Sequence, residues 1–115
     1  MADPAPRVLV VDDDPIIRDV AVCVLGPGTV TAADMPDAIE ALMENGPFDV
    51  LIMDINLAGE SGKDLASWIR THYPALRGRI LFITGSTAQS GPDVLAKPFT
   101  PTQLEERVRE LARPR

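Results

Sequence analysis

Four places in the chain set a reactive side chain directly after a short apolar run. Val8-Leu9-Val10-Val11 leads into Asp12-Asp13-Asp14, and Val50-Leu51-Ile52-Met53 into Asp54. Leu81-Phe82-Ile83 leads into Thr84-Gly85-Ser86, and Val94-Leu95-Ala96 into Lys97-Pro98. Clustered carboxylates repel one another and need a counter-charge, which a hard divalent cation supplies. Mg²⁺ suits such a cluster, because it takes few protein ligands in octahedral geometry and keeps waters and a phosphate. Lys97 offers a positive point charge to a phosphoryl oxygen, and Thr84 a hydroxyl donor. Asp54 is then a candidate nucleophile, a carboxylate that attacks phosphorus and becomes an acyl phosphate. Metal and lysine neutralise charge on the transferring group. Each residue also has an ordinary use: Asp14 caps a helix, Lys97-Pro98 makes a surface turn, Thr84 ends a strand. One cap needs only one aspartate, so Asp12 and Asp13 together exceed that use.

These residues converge only if the intervening chain folds suitably. The three strong apolar runs are unalternated, which suits strands buried on both faces of a parallel sheet. A weaker run over residues 29–33 and the short run over 94–96 add two more strands. Between them lie helical patterns. Asp14 caps the first, with Pro15 at its first position and Ile17, Val20, Val24 and Leu25 turned inward, and Gly26-Pro27-Gly28 stops it. The second spans residues 36–45, with Ala38, Leu42 and Met43 inward. The third runs from Ser61 or Gly62 to His72, with Leu65, Trp68 and Ile69 on one side. The last starts at Thr100-Pro101-Thr102-Gln103, a capping-box pattern, and buries Leu104, Val108 and Leu111. Strand and helix alternate, so the chain reads as a doubly wound α/β domain. Ligands of such sheets collect at the carboxyl ends of the strands, where all four reactive segments fall. Residues 85–93 are small, polar and broken by Gly91-Pro92, too few for a full helix and its loops. This crossover is expected to be a loop or a single turn.

With 17 acids and 11 bases among 115 residues, the formal charge is −6, which argues against a grip on nucleic acid. Apolar residues make up 45% of the chain, enough for a core and too many for a disordered one. No apolar run spans a membrane, and residues 1–6 lack a signal core, so a cytoplasmic location is expected. One domain is expected over residues 1–115, ordered from about 6 to 113. Cys23 has no partner for an intramolecular disulfide and reads as a small core hydrophobe. His72 sits at a helix end, where a positive charge suits the dipole.

The segments VLVVDDDP (8–15), DVLIMDINLAGESG (49–62), ILFITGS (80–86) and LAKPF (95–99) resemble the receiver domain of two-component response regulators, over nearly the whole chain. The resemblance implies a flavodoxin-like five-stranded parallel sheet of order 2-1-3-4-5. It implies a phosphoacceptor at Asp54, not an enzyme acting on a separate substrate. Mg²⁺ would be held by Asp12, Asp13, Asp54 and the backbone carbonyl of Asn56, with Mn²⁺ or Ca²⁺ as substitutes. Thr84 and Lys97 would attend the phosphoryl group. A histidine kinase or histidine phosphotransfer protein would dock on Pro15, Ile16, Pro98 and Phe99. The expected state is a monomer or weak dimer, a single-domain regulator without DNA-binding output.

The chain departs from the family pattern in three places. Ala58 stands where a proline is usual, Val94 stands where an aromatic residue is usual, and the fourth crossover helix is missing. The expected switch is therefore the 84–93 loop, through Thr84, Gly85, Ser86 and Val94. Two other readings compete: a receiver-like interaction module that is never phosphorylated, and a phosphatase of haloacid-dehalogenase type with Asp12 as nucleophile.

Overall fold

A computed structural model describes residues 6–57, 60–85, 91 and 93–113 of the chain. β1 (Val8–Val11) leads into α1 (Pro15–Leu25), β2 (Val30–Ala32), α2 (Met35–Asn45) and β3 (Val50–Asp54). A short antiparallel hairpin, β4 (Asn56–Leu57) and β5 (Glu60–Ser61), precedes α3 (Gly62–His72). A 3₁₀ turn at Pro74–Leu76, β6 (Ile80–Thr84), β7 (Val94–Ala96) and α4 (Pro101–Ala112) complete the order. The main sheet runs β2-β1-β3-β6-β7, all parallel. Once the hairpin is set aside, this is the expected 2-1-3-4-5 order.

Each helix starts where its sequence supplies a cap. Asp14 accepts from Ile16 N, Asp34 from Asp37 N and Ser61 from Asp64 N. Thr100 and Gln103 form a reciprocal capping box. Alternation along the buried strands then divides the core in two. Leu9, Val11, Leu51, Met53 and Phe82 pack against Leu42 of α2 and Leu65 and Ile69 of α3. Val10, Ile52, Ile83 and Leu95 pack against Ala21 of α1 and Leu104 and Val108 of α4. A fully buried side chain of this size contributes roughly 1.5–3 kcal/mol.

Three side chains differ from the sequence reading. Val20 and Met43, expected inward, are exposed, and so is Cys23. The inward places go to Ala21 and Ala41. Cys23 follows Ala21 by two residues, about 200° around the helix, which sends it to solvent. Met43 stands in the same relation to Ala41. Among the described residues no α-helix lies between β6 and β7. The described helices number four, as the short crossover requires. Ser86 lies outside the described residues, as does most of that crossover.

Candidate functional site

Register brings the reactive residues to one edge. Val11 pairs with Met53, Asp54 with Ile83 and Thr84 with Ala96. The residues just past each pairing are therefore neighbours across strands about 4.8 Å apart. Asp12, Asp54 and Lys97 also share one side of the sheet, the side that carries α1 and α4. Lys97 Nζ lies 3.4 Å from Asp12 Oδ2 and 3.3 Å from Asp54 Oδ2.

Asp12 is wholly buried. Its Oδ1 accepts from Asp14 N at 2.8 Å, and its carbonyl accepts from Arg18 Nη1 at 2.8 Å. Its Oδ2 has no hydrogen bond among the described residues. Burial raises the carboxyl of Asp12 above its usual value. The Asp14 amide and the Lys97 charge oppose that rise, and the Asp54 charge adds to it. For Lys97 burial is the largest single influence and pulls its ammonium down. The carboxylates of Asp12 and Asp54 together outweigh it, so the net direction is upward.

Asp54 is nearly buried, and its Oδ1 accepts from Asn56 N at 2.9 Å. Asn56 itself is exposed and pairs with Ser61 in the hairpin. Asp13 is exposed and completes the acidic group. One carboxylate oxygen from each of Asp12, Asp13 and Asp54 lies within 4.8 Å of the others. Hard oxygen donors, close together and including a buried Asp12 oxygen that has the Lys97 charge 3.4 Å away but no hydrogen bond among the described residues, fit Mg²⁺.

Thr84 is buried at the same edge, and its carbonyl accepts from Lys97 N at 2.7 Å. Gly85 is exposed, and a Cβ there would meet nothing within 4 Å. Val94 is half-buried against the α2/α3 core. Pro15, Ile16 and Pro98 are exposed, whereas Phe99 packs partly against the α1/α4 core.

Two residues at this edge escaped the sequence reading. Arg18 holds the β1–α1 corner, and its signal was being the lone base between Val8 and Gly62. Gly62 crosses under Asp54: a Cβ there would lie 2.1 Å from the Asp54 carbonyl oxygen. Its amide donates to Ile55 O at 2.7 Å. Its signal was a glycine in the first turn of a helix, where alanine is intrinsically favoured.

The sequence pattern of the response regulator receiver domain matches residues 8–109, and the chain belongs to that family. Receivers of this kind are signalling phosphoacceptors that bind Mg²⁺ at an acidic pocket and work with histidine kinases or phosphotransfer proteins. The chain is 35% identical to the probable transcriptional regulatory protein TcrX of Mycobacterium tuberculosis, over 97% of this chain and 52% of TcrX. It thus spans about half the length of that relative. The fold matches the chemotaxis response regulator CheY4 of Vibrio cholerae with a TM-score of 0.80 at 27% identity, covering 94% of this chain and 99% of that one. It also matches response regulator protein TrrA of Thermotoga maritima, in complex with Mg²⁺ and BeF, with a TM-score of 0.78 at 28% identity, covering 92% and 98%. Among the described residues, no helix is long and apolar enough to cross a membrane.

Proposed function

We propose that Asp54 accepts a phosphoryl group from a phosphohistidine on a histidine kinase or histidine phosphotransfer protein. The observation that carries this reading is the Lys97 ammonium between the carboxylates of Asp12 and Asp54, at 3.4 and 3.3 Å. A cation between two acids on neighbouring strands is poised to exchange one partner for a phosphoryl oxygen.

Asp12, Asp13, Asp54 and the Asn56 carbonyl are the residues that would hold Mg²⁺, or Mn²⁺ or Ca²⁺ in its place. The bound cation neutralises charge on the phosphoryl oxygens. The Asn56 amide fixes Asp54 Oδ1 and leaves Oδ2, on the Lys97 side, as the attacking atom. Oδ2 forms the new P–O bond as the P–N bond of phosphohistidine breaks. The electron pair leaves with the imidazole nitrogen, which takes a proton from solvent. Lys97 then pairs with one phosphoryl oxygen, and the Thr84 hydroxyl donates to another. Water later cleaves the acyl phosphate, restoring the Asp54 carboxylate and releasing inorganic phosphate.

The output is a population shift at the β6–β7 crossover, through Thr84, Gly85, Ser86 and Val94, that changes partner binding. Pro15, Ile16, Pro98 and Phe99 form the kinase-facing surface. Residues 1–115 act as one receiver, whose own output is protein binding and not contact with DNA. The match over residues 8–109 and the charge of −6 support this. Asp12, the nucleophile of the phosphatase reading, is wholly buried and bound to the Asp14 amide, which disfavours that reading.

The test is phosphorylation of wild type and Asp54→Asn by a small phosphodonor with Mg²⁺, recording amide exchange over residues 84–96. Wild type is expected to gain an acid-stable, alkali-labile phosphate and altered exchange, and the variant neither. A labelled Asp54→Asn, with phosphate mapped to Asp12, refutes the assignment. Unchanged exchange in phosphorylated wild type removes the switch.

A further inference from the structure

β7 is three residues long and lies at the edge of the sheet, paired on one side only, yet Lys97 follows directly on it. In a parallel ladder, alternate residues turn their backbone groups toward the neighbouring strand, and the rest turn them outward. Asp93 O accepts from Phe82 N at 2.7 Å, and Lys97 N donates to Thr84 O at 2.7 Å. The odd-numbered residues therefore face β6, and the Val94 carbonyl faces away from it. An outward carbonyl on an open edge needs water or a foreign donor.

Here Arg107 supplies it from the middle of α4. Arg107 Nη1 donates to Val94 O at 3.0 Å and reaches Gly91 O at 3.4 Å. Gly91 O also accepts from Val94 N at 3.3 Å, so the guanidinium straddles the turn that leads into β7. Gly91 has a φ of +152°, a conformation that suits glycine at this turn. In a domain with a full crossover helix, packing of that helix fixes the approach to this strand. In this chain the crossover is short, and Arg107 ties its end to α4.

We propose that Arg107 is a positioning residue for Lys97. Held at Val94 by the guanidinium, β7 keeps its lateral place, and Lys97 three residues on keeps its ammonium in reach of Asp54 and Asp12. The activity readout rests on Asp54 as phosphoacceptor, whereas the strap itself does not.

The test compares wild type with Arg107→Met, which keeps the apolar stem and loses the donors, and Arg107→Lys, which keeps one donor. Phosphorylation by a small phosphodonor at saturating Mg²⁺ is expected to slow about tenfold in Arg107→Met, because small misplacements of a catalytic group are costly. Arg107→Lys is expected to lose only about threefold. Mg²⁺ affinity does not fall in either, since Asp12, Asp13 and Asp54 are held by other segments and a displaced Lys97 only frees carboxylate oxygens for the cation. The chain has only two lysines, Lys63 and Lys97, so a lysine-selective NMR spectrum carries two signals. The Lys97 signal shifts in Arg107→Met and, less, in Arg107→Lys, while that of Lys63 stays. The lysine variant carries the comparison should the methionine variant not fold. Wild-type rates with an unmoved Lys97 signal overturn the proposal, as does Mg²⁺ affinity falling in step with the rate. Should wild type itself take no phosphate, the Asp54 reading falls, and the Lys97 signal alone decides the strap.

Discussion

Asp12 holds a charge that its surroundings resist. Burial raises its carboxyl above the unfolded value of 3.8, and Lys97 offsets only part of that. A group with a raised folded value binds protons more tightly folded than unfolded. The contribution of Asp12 to stability therefore falls as pH rises above about 3.8 and stays reduced at neutral pH. Lys97 also has a raised value, but for a cation the effect is favourable: its stabilisation is complete below 10.5 and is lost as pH climbs through the folded value. Near pH 7 the metal-free protein thus carries an unfavourable Asp12 and a favourable Lys97. Asp12→Asn relieves the first and forfeits the Asp12 share of the second, while Asp54 stays beside Lys97, so metal-free stability is expected to rise by on the order of 1 kcal/mol, roughly 3–6 °C in Tm. Saturating Mg²⁺ reverses the order, since a ligand at 100 times its Kd adds about 2.7 kcal/mol to wild type, and the variant loses a ligand. Thermal unfolding of both proteins, in chelator and in Mg²⁺, checks this. A wild type that is the more stable in chelator shows that the Lys97 pairing outweighs burial. At this scale Asp12, Asp54, Thr84 and Lys97 were legible because each ends an apolar run. Cys23, Val20 and Met43 were misplaced because hydrophobicity alone does not fix the phase of a helix when alanines can fill the inward face.

The helices run against the strands, so their amino ends gather at the reactive edge and their carboxyl ends at the opposite one. That arrangement explains where an acidic chain spends its bases. Arg7 donates to Asn45 O at the end of α2. Arg77 Nε donates to Arg70 O and His72 Nδ1 to Trp68 O near the end of α3. Arg79 donates to Leu111 O and Arg113 O at the end of α4, at 3.0 and 2.9 Å. The arginine contacts place donors on carbonyls that a helix end leaves unpaired and favour the negative end of the dipole, whereas the His72 ring shares a carbonyl one turn inside α3. At the α1 end the backbone serves: the Gly26 amide donates to Val22 O, and Gly26, at φ +102°, turns the chain out of the helix. Caps and stops made the four helices readable from sequence to within a residue or two. The β4–β5 hairpin was not, because two-residue strands carry no periodicity. Nor was the crossing of Gly62 beneath Asp54, which is a tertiary contact with no local pattern. That crossing has a sharp consequence: Gly62→Ala sets a methyl against the Asp54 backbone and is expected to cost about 2–3 kcal/mol. Urea unfolding reads it as a lower midpoint with an unchanged slope. Wild-type stability in that variant shows that the α3 start can shift away from β3.

On the scale of the whole molecule, the reactive edge adjoins an apolar stripe. Ile16 is 68% exposed, and Val20 and Cys23 follow at helical spacing on the same side of α1. Pro15 and Pro98 are exposed beside Asp14 and Lys97, so the stripe continues to the reactive edge that holds Asp54, the proposed phosphoacceptor. On the proposed reading, a partner that delivers phosphohistidine to Asp54 covers this surface, and buried apolar anchors dominate such contacts. The Ile16 amide donates to Asp14 Oδ1 through the backbone, so replacing the side chain spares the α1 cap. Ile16→Asp removes the anchor and adds a charge beside Asp13 and Asp14. Transfer from a phosphorylated kinase or phosphotransfer protein is expected to slow at least tenfold, the equivalent of about 1.4 kcal/mol of lost docking. Phosphorylation by a small phosphodonor, which on the proposed reading needs Asp54, Lys97 and the metal but no docking, is expected to stay within about twofold of wild type. Measuring both rates on the same protein separates the two roles. Equal losses from both donors would mean that Ile16 supports the site itself, and would move the docking surface off α1.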